Sequence, residues 1–188
     1  MQQKPFSTTV MIALTLCLSA SSFAQAGRNK QFAIDKQKVL QSLQLANRYF
    51  MAKWPDAGKE IYVPSKHKSW PSHIWTRGVY YEGLMSLYQI DPDSKYIDYA
   101  MQWGNAHHWD LRGGIHTRNA DNQCAGQTYI DVALIKKDTS LMSNIKASVN
   151  LMLRSDTCND WSWIDAIQMA MPVFARLGKL TGNNAYYD

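Results

Sequence analysis

Residues 166–175, AIQMAMPVFA, carry one strongly polar side chain, Gln168, in ten positions. A helix of that composition has almost no face to give to water, so it reads as an inner helix walled by others. Pro172 lies inside it and predicts a kink, because proline lacks the N–H and its ring crowds the preceding turn. The segment that needs walls therefore predicts their existence elsewhere in the chain.

Working outward, apolar spacing predicts helices over Lys36–Lys53, His73–Ile90, Ser94–Trp109, Asn119–Lys136, Thr139–Arg154 and Trp161–Leu180. In the first, Val39, Leu43, Ala46 and Phe50 form one stripe. Strand-like alternation is lacking. The connection Trp54–Ser72, with Pro55, Gly58, Pro64 and Pro71, and the loop Leu111–Thr117, with Gly113-Gly114, are expected to be irregular.

These helices pair, and the pairs recur. Trp75, Ala120 and Asp165 fall near the starts of successive first helices at a spacing of 45 residues, and Tyr96, Leu141 and Tyr186 near the starts of second helices at the same spacing. A period of about 45 residues made of two helices marks stacked α-hairpins, as an open solenoid or a closed ring. The apolar first helices favour a double-layered, all-α toroid with first helices inside.

In such a toroid the inner helices run the same way, so their N-termini share one rim. That rim gathers Trp75, Arg77, Asn119, Asp121, Trp161, Trp163 and Asp165. Acids among tryptophans suit a sugar site, since sugar C–H faces stack on rings and carboxylates move protons. Capping alone also explains the polar residues: Ser162-x-x-Asp165 is a capping-box pattern, and Asn119 and Asp121 are good helix-start residues. Trp161 and Trp163 can equally plug the gap between hairpins.

Composition limits the classes. The chain has 188 residues, is 46% hydrophobic and 12% aromatic, and has only 19% charged residues, which excludes a disordered or collagen-like chain. Residues 1–24 read as an export signal: Lys4, the apolar run Val10–Ala20, then Ser22-Phe23-Ala24 as a cleavage site. The expected product starts near Gln25 and is periplasmic or secreted, with no membrane contact once cleaved. The net charge of +5 falls to +4 with loss of Lys4, and no Lys/Arg block lines one face, so nucleic acid is not an expected partner. Cys124 and Cys158 remain, either paired or as two free thiols. His67, His73, His107, His108 and His116 show no metal-ligand spacing, so no metal site is expected.

Three segments carry a resemblance to a known family. Arg118–Asp131 (RNADNQCAGQTYID), Asp160–Gly178 (DWSWIDAIQMAMPVFARLG) and the opening Trp75-Thr76-Arg77-Gly78-Val79 resemble glycoside hydrolase family 105, the unsaturated rhamnogalacturonyl hydrolases related to the family 88 unsaturated glucuronyl hydrolases. The resemblance implies an (α/α)6 barrel acting on the unsaturated uronic-acid oligosaccharides that polysaccharide lyases leave. It implies hydration of the C4=C5 double bond with no metal or organic cofactor. By motif, Asp165 matches the general acid/base and Asp121 a second aspartate that helps hold the sugar, with Trp161 and Trp163 walling the site. Burial among the tryptophans and a negative Asp121 are expected to favour the protonated form of Asp165, against the helix start. Substrate binding is assigned to Trp75, Arg77, Gln127, Trp161 and Trp163; Arg112 and Arg118 are further candidates for a uronate carboxylate. Rival readings are an exported carbohydrate-binding helical module, and an ordinary inverting glycosidase or lyase on a similar toroid.

At about 45 residues per hairpin, six hairpins need on the order of 270 residues, and this chain supplies about three and a half. The expectation is residues 25–188 as the N-terminal part of an apparently incomplete toroid, a truncated product or partial gene model that is poorly soluble or inactive alone.

Overall fold

Asp93, Asp138 and Asn183, spaced 45 residues apart, each accept a hydrogen bond from a backbone N–H two residues on, at 3.0, 3.0 and 3.1 Å. Each opens the second member of a hairpin. The residues just before two of these caps, Lys137 and Gly182, both sit in left-handed backbone with φ of 56° and 67° and close the preceding helices. The equivalent position in the first hairpin is Pro92, whose ring fixes φ near −65°, and there the preceding helix ends on Asp91 instead. The 45-residue period is thus a repeat of turn chemistry as well as of apolar spacing.

The computed structural model describes residues 34–188, in two units divided after Ser42. The expected export signal lies outside the described residues. Among them, the elements are α1 (Lys36–Lys53), β1 (Ile61–Val63), β2 (Lys68–Trp70), α2 (Trp75–Ile90), α3 (Ser94–Ala106), α4 (Ala120–Gln123), α5 (Ala125–Lys136), α6 (Ser143–Leu153), α7 (Ala166–Met169) and α8 (Met171–Thr181), with 3-10 turns at Pro64–Lys66, Thr139–Met142 and Asn184–Tyr186. No helix among the described residues is long and apolar enough to cross a membrane.

In the unit Leu43–Asp188, α2 packs on α5 and α5 on α8, as neighbours in an inner layer. The outer layer is α3, α6 and the two 3-10 turns that follow Asp138 and Asn183. This is the double-layered, all-α architecture expected from the repeat. Its core is aromatic: the Tyr81 and Trp103 rings stack at 4.1 Å, and Trp103 donates its indole N–H to Ser72 O. The Tyr129 hydroxyl donates to Asp110 O, which fastens the loop after α3 to the inner layer. Gly78 of α2 lies so close to Cys124 that a Cβ there would stand 2.9 Å from its Sγ.

Three expectations are corrected in detail. The stretch Trp54–Ser72 holds a short antiparallel hairpin, with Ile61 opposite Trp70 and Val63 opposite Lys68. In α1, Val39, Leu43 and Ala46 are exposed, and the buried residue is Asn47, which accepts a hydrogen bond from the Tyr80 hydroxyl at 2.6 Å. That bond satisfies the amide, so a polar side chain takes the inward place. The segment 166–175 is also less enclosed than its composition implies: Ala166, Met169, Ala170 and Val173 are buried, whereas Ile167 and Met171 are exposed. Gly113 and Gly114 adopt φ of 88° and 68° in the irregular loop, as their sequence predicts.

Candidate functional site

The starts of α2, α4 and α7 meet at one hollow of about 260 Å³. Trp75 is the first residue of α2, Asp121 the second of α4, and Asp165 immediately precedes α7. Together with Asn119, Asp160, Trp161, Ser162 and Trp163 they line the hollow. Ala120, Cys124, Ala166, Met169 and Ala170 pack together where α4 meets α7, with Trp161 against them, and Ala120, Ala166 and Trp161 of this cluster reach the hollow. Trp161 sets its ring edge-on to Phe174 at 5.3 Å. Trp163 is 78% exposed and Trp75 43%, so two indoles present open ring surface beside the acids.

The polar residues divide between capping and availability. Asn119 is a cap, its side chain accepting from the Asn122 N–H. Asp165 is not: its backbone carbonyl accepts from the Gln168 and Met169 N–H groups, while its carboxylate makes no capping hydrogen bond. The carboxylate of an exposed Asp165 is therefore left for other partners. The Asp121 carboxyl is held above its usual value, by burial first and by the negative charge of Asp165 second, with Arg112 opposing. The Cys124 thiol in that cluster is pushed up to about 12 by burial and by Glu82 and Asp121, which leaves it protonated and unreactive.

Two residues assigned to substrate binding lie elsewhere. Arg77 does not line the hollow; it is 7% exposed, with its guanidinium 3.9 Å from the Trp54 ring centroid and 4.6 Å from that of Phe50. The reason is geometric, since two residues along a helix rotate the side chain by about 200°, away from Trp75. Gln127 is fully buried, and its amide Nε2 donates to Gln168 O at 2.7 Å and Met169 O at 3.3 Å. Of the other cations, Arg118 is committed to Asp160 through Nε–Oδ1 at 2.5 Å and Nη2–Oδ2 at 2.6 Å. Arg112 stacks over Trp70 at 4.7 Å and takes part in no ion pair among the described residues. Asp160 was not singled out by sequence; its signal would have been a pairing across 42 residues with Arg118, which no local pattern displays. Cys124 and Cys158 are both free, the first buried and the second exposed. Among the described residues no group of three or more His, Cys, Asp or Glu side chains is placed to hold a metal ion.

The profile of Glycosyl Hydrolase Family 88 matches residues 43–188. The chain belongs to glycosyl hydrolase family 88. That match covers the whole unit containing the hollow, including all three inner-helix starts. Two solved structures share the fold: a polysaccharide lyase, at 20% identity and a TM-score of 0.68, and a glycosyl hydrolase family 88 protein from Bacteroides vulgatus, at 18% identity and the same TM-score. Each alignment covers 80% of this chain, but only 43% and 44% of the other, so the chain spans less than half the length of these structures. A search of curated proteins gives no match.

Proposed function

We propose that this family 88 chain serves the hydration of unsaturated uronyl oligosaccharides, rhamnogalacturonyl or glucuronyl, as its resemblance to families 105 and 88 implies. One observation carries the reading: Asp121 and Asp165 line a single hollow with three tryptophans. In the reaction a carboxylic acid gives its proton to C4 of the unsaturated ring. Water adds its oxygen to C5 and loses a proton to carboxylate. The C5 hemiketal then opens, the ring oxygen returns to C1 as a hydroxyl, and the hemiacetal so formed releases the remaining sugar. Asp165 is assigned the proton transfers and Asp121 the hold on the sugar, with Trp75, Trp161 and Trp163 as walls. Arg112 supplies the positive charge nearest in effect to Asp121, and suits the uronate carboxylate better than Arg77 or Arg118, whose positions are taken. Export by residues 1–24 fits a substrate produced outside the cytoplasm.

A second reading exchanges the acids. Burial and the charge of Asp165 raise the Asp121 carboxyl, which suits Asp121 as the initial proton donor, with Asp165 as the base.

The test is loss of the ultraviolet absorbance of the C4=C5 uronide when the protein is incubated with an unsaturated disaccharide. Loss of signal supports hydration. Binding without loss supports the carbohydrate-binding module, and new reducing ends from a saturated polymer support an ordinary glycosidase.

A further inference from the structure

We propose that Gln127 is a positioning residue that fixes the turn bearing Asp165; this rests on the reading of Asp165 as a proton-transfer group. The argument begins at Pro172. In a regular helix the N–H of residue 172 would bond the carbonyl of Gln168, and proline has none to give. One residue on, the Val173 N–H bonds Ala170 O at 2.9 Å, three residues back, and so leaves Met169 O unserved by its helical donor. Two adjacent carbonyls are thus released at the α7–α8 break. A buried carbonyl without a donor keeps the full penalty of its desolvation, so a partner is required.

Gln127 supplies it to both, through the single amide Nε2 at 2.7 and 3.3 Å. The same two residues face Asp165 with their other ends: the Gln168 and Met169 N–H groups both donate to Asp165 O at 2.9 Å. The peptide units of residues 168 and 169 therefore connect the Gln127 amide to the Asp165 backbone by hydrogen bonds at each end. Because the Asp165 carboxylate makes no capping bond, its placement depends on that backbone.

The holder is itself held. Gln127 O accepts from Arg176 Nη1 at 3.0 Å, and the same nitrogen bonds Asp131 Oδ2 at 3.0 Å. On the far side, the Gln168 side chain donates to Glu82 Oε2 at 2.6 Å, which ties α7 to α2. Gln127 is fully buried and its Oε1 meets no donor, so the amide is used purely as a donor toward the break. Full burial also removes it from contact with a sugar. A methionine there would match its length and give no hydrogen bond, and a glutamate would set a negative charge against two carbonyls.

The experiment compares the chain with Gln127→Met, Pro172→Ala and the double variant. In thermal unfolding, Gln127→Met should lower Tm. The loss should shrink in the Pro172→Ala background, where residue 172 regains an N–H for Gln168 O. An equal loss in both backgrounds overturns the clamp, and the double variant keeps the comparison available if Gln127→Met alone does not fold. With the unsaturated disaccharide, well below Tm, Gln127→Met should lower kcat by about tenfold or more with KM little changed, since displacement of a reacting group by about 1 Å can slow a reaction a hundredfold. Unchanged kcat in a folded Gln127→Met, beside an active parent, overturns the positioning role alone. An intact enzyme that binds the disaccharide without turnover overturns the reading of Asp165, and the positioning role with it.

Discussion

Arg118 holds Asp160 by two parallel hydrogen bonds, Nε to Oδ1 and Nη2 to Oδ2, and the same Nη2 also reaches Thr157 O at 2.9 Å. This fork ties the residue just before Asn119, the cap of α4, to the loop that carries Trp161 and Trp163. Arginine suits the task because its planar guanidinium matches a carboxylate at two points, which lysine cannot do. Arg118→Lys keeps the charge and removes the fork. The expected result is an intact fold whose affinity for the unsaturated disaccharide falls several-fold, read from quenching of tryptophan fluorescence. Unchanged affinity would mean that the loop needs no such tether.

The two aspartates predict different phenotypes. In the intact enzyme, Asp165→Asn should abolish turnover while leaving folding and disaccharide binding largely in place; near-parental turnover removes its assignment. Asp121→Asn should weaken binding more than Asp165→Asn does. If instead Asp121→Asn loses turnover with affinity preserved, and the acidic limb of the pH–rate profile goes with it, the exchanged roles are correct.

Asp121 also predicts a stability effect. Its carboxyl is raised on folding from an ordinary value of 3.8, chiefly by burial and then by Asp165. A carboxyl so raised favours the folded state fully below 3.8, and that contribution is lost as pH rises through the raised value. At neutral pH the charged, partly buried group opposes folding. Asp121→Asn should therefore unfold slightly later than the parent at pH 7, by a few tenths of a kcal/mol after allowance for solvent screening. The gain should vanish near pH 3. A less stable variant at pH 7 would show that Asp121 carries structural bonds that outweigh its charge.

A separate titration lies behind the hairpin. Ser72 Oγ donates its one proton to Ala57 O at 2.8 Å, so at 2.5 Å from His107 Nε2 it accepts, and that nitrogen carries the hydrogen. Burial, then His73 and His108, lower His107 to about 4; burial and Arg112 also lower His73. The His73 and His107 rings lie 4.1 Å apart, tilted by 34°, where two positive charges would repel. Groups kept neutral in this way stabilise the fold above the unfolded value of 6.5, and the contribution is lost as pH falls toward 4. Melting temperature should drop through that window. His107→Gln, which retains a donor for Ser72, should flatten the drop; an unchanged slope would place the acid sensitivity elsewhere.

Much of this was legible because it repeats. Trp75 and Ala120 open α2 and α4 on the 45-residue period, and the shared rim follows from inner helices that run in one direction. The common hollow of Asp121 and Asp165 was readable for that reason. Arg77 was misplaced through neglect of helical rotation, which spacing alone discloses. Gln127 was beyond local pattern. Its task exists only because Pro172 frees two carbonyls 41 and 42 residues further along the chain, and only packing brings them together. Asn47 inverted the expected face of α1 for a related reason: a polar residue is buried without penalty where a partner such as the Tyr80 hydroxyl waits.

The repeat also predicts a stabilising substitution. Lys137 and Gly182 occupy equivalent left-handed positions at the ends of α5 and α8, with φ of 56° and 67°. For a residue with a Cβ that conformation costs about 1–2 kcal/mol, whereas glycine adopts it freely. Glycine in turn loses more backbone freedom on folding, which offsets part of the gain. Lys137 is exposed, so its side chain sacrifices little packing when removed. Lys137→Gly should therefore raise stability by up to about 1 kcal/mol, and Gly182→Ala should lower it by about the same amount. Chemical denaturation of both variants checks the pair. A loss of stability in Lys137→Gly would show that the lysine side chain contributes at the helix end, where a cation interacts favourably with the last carbonyls, more than its backbone conformation takes away.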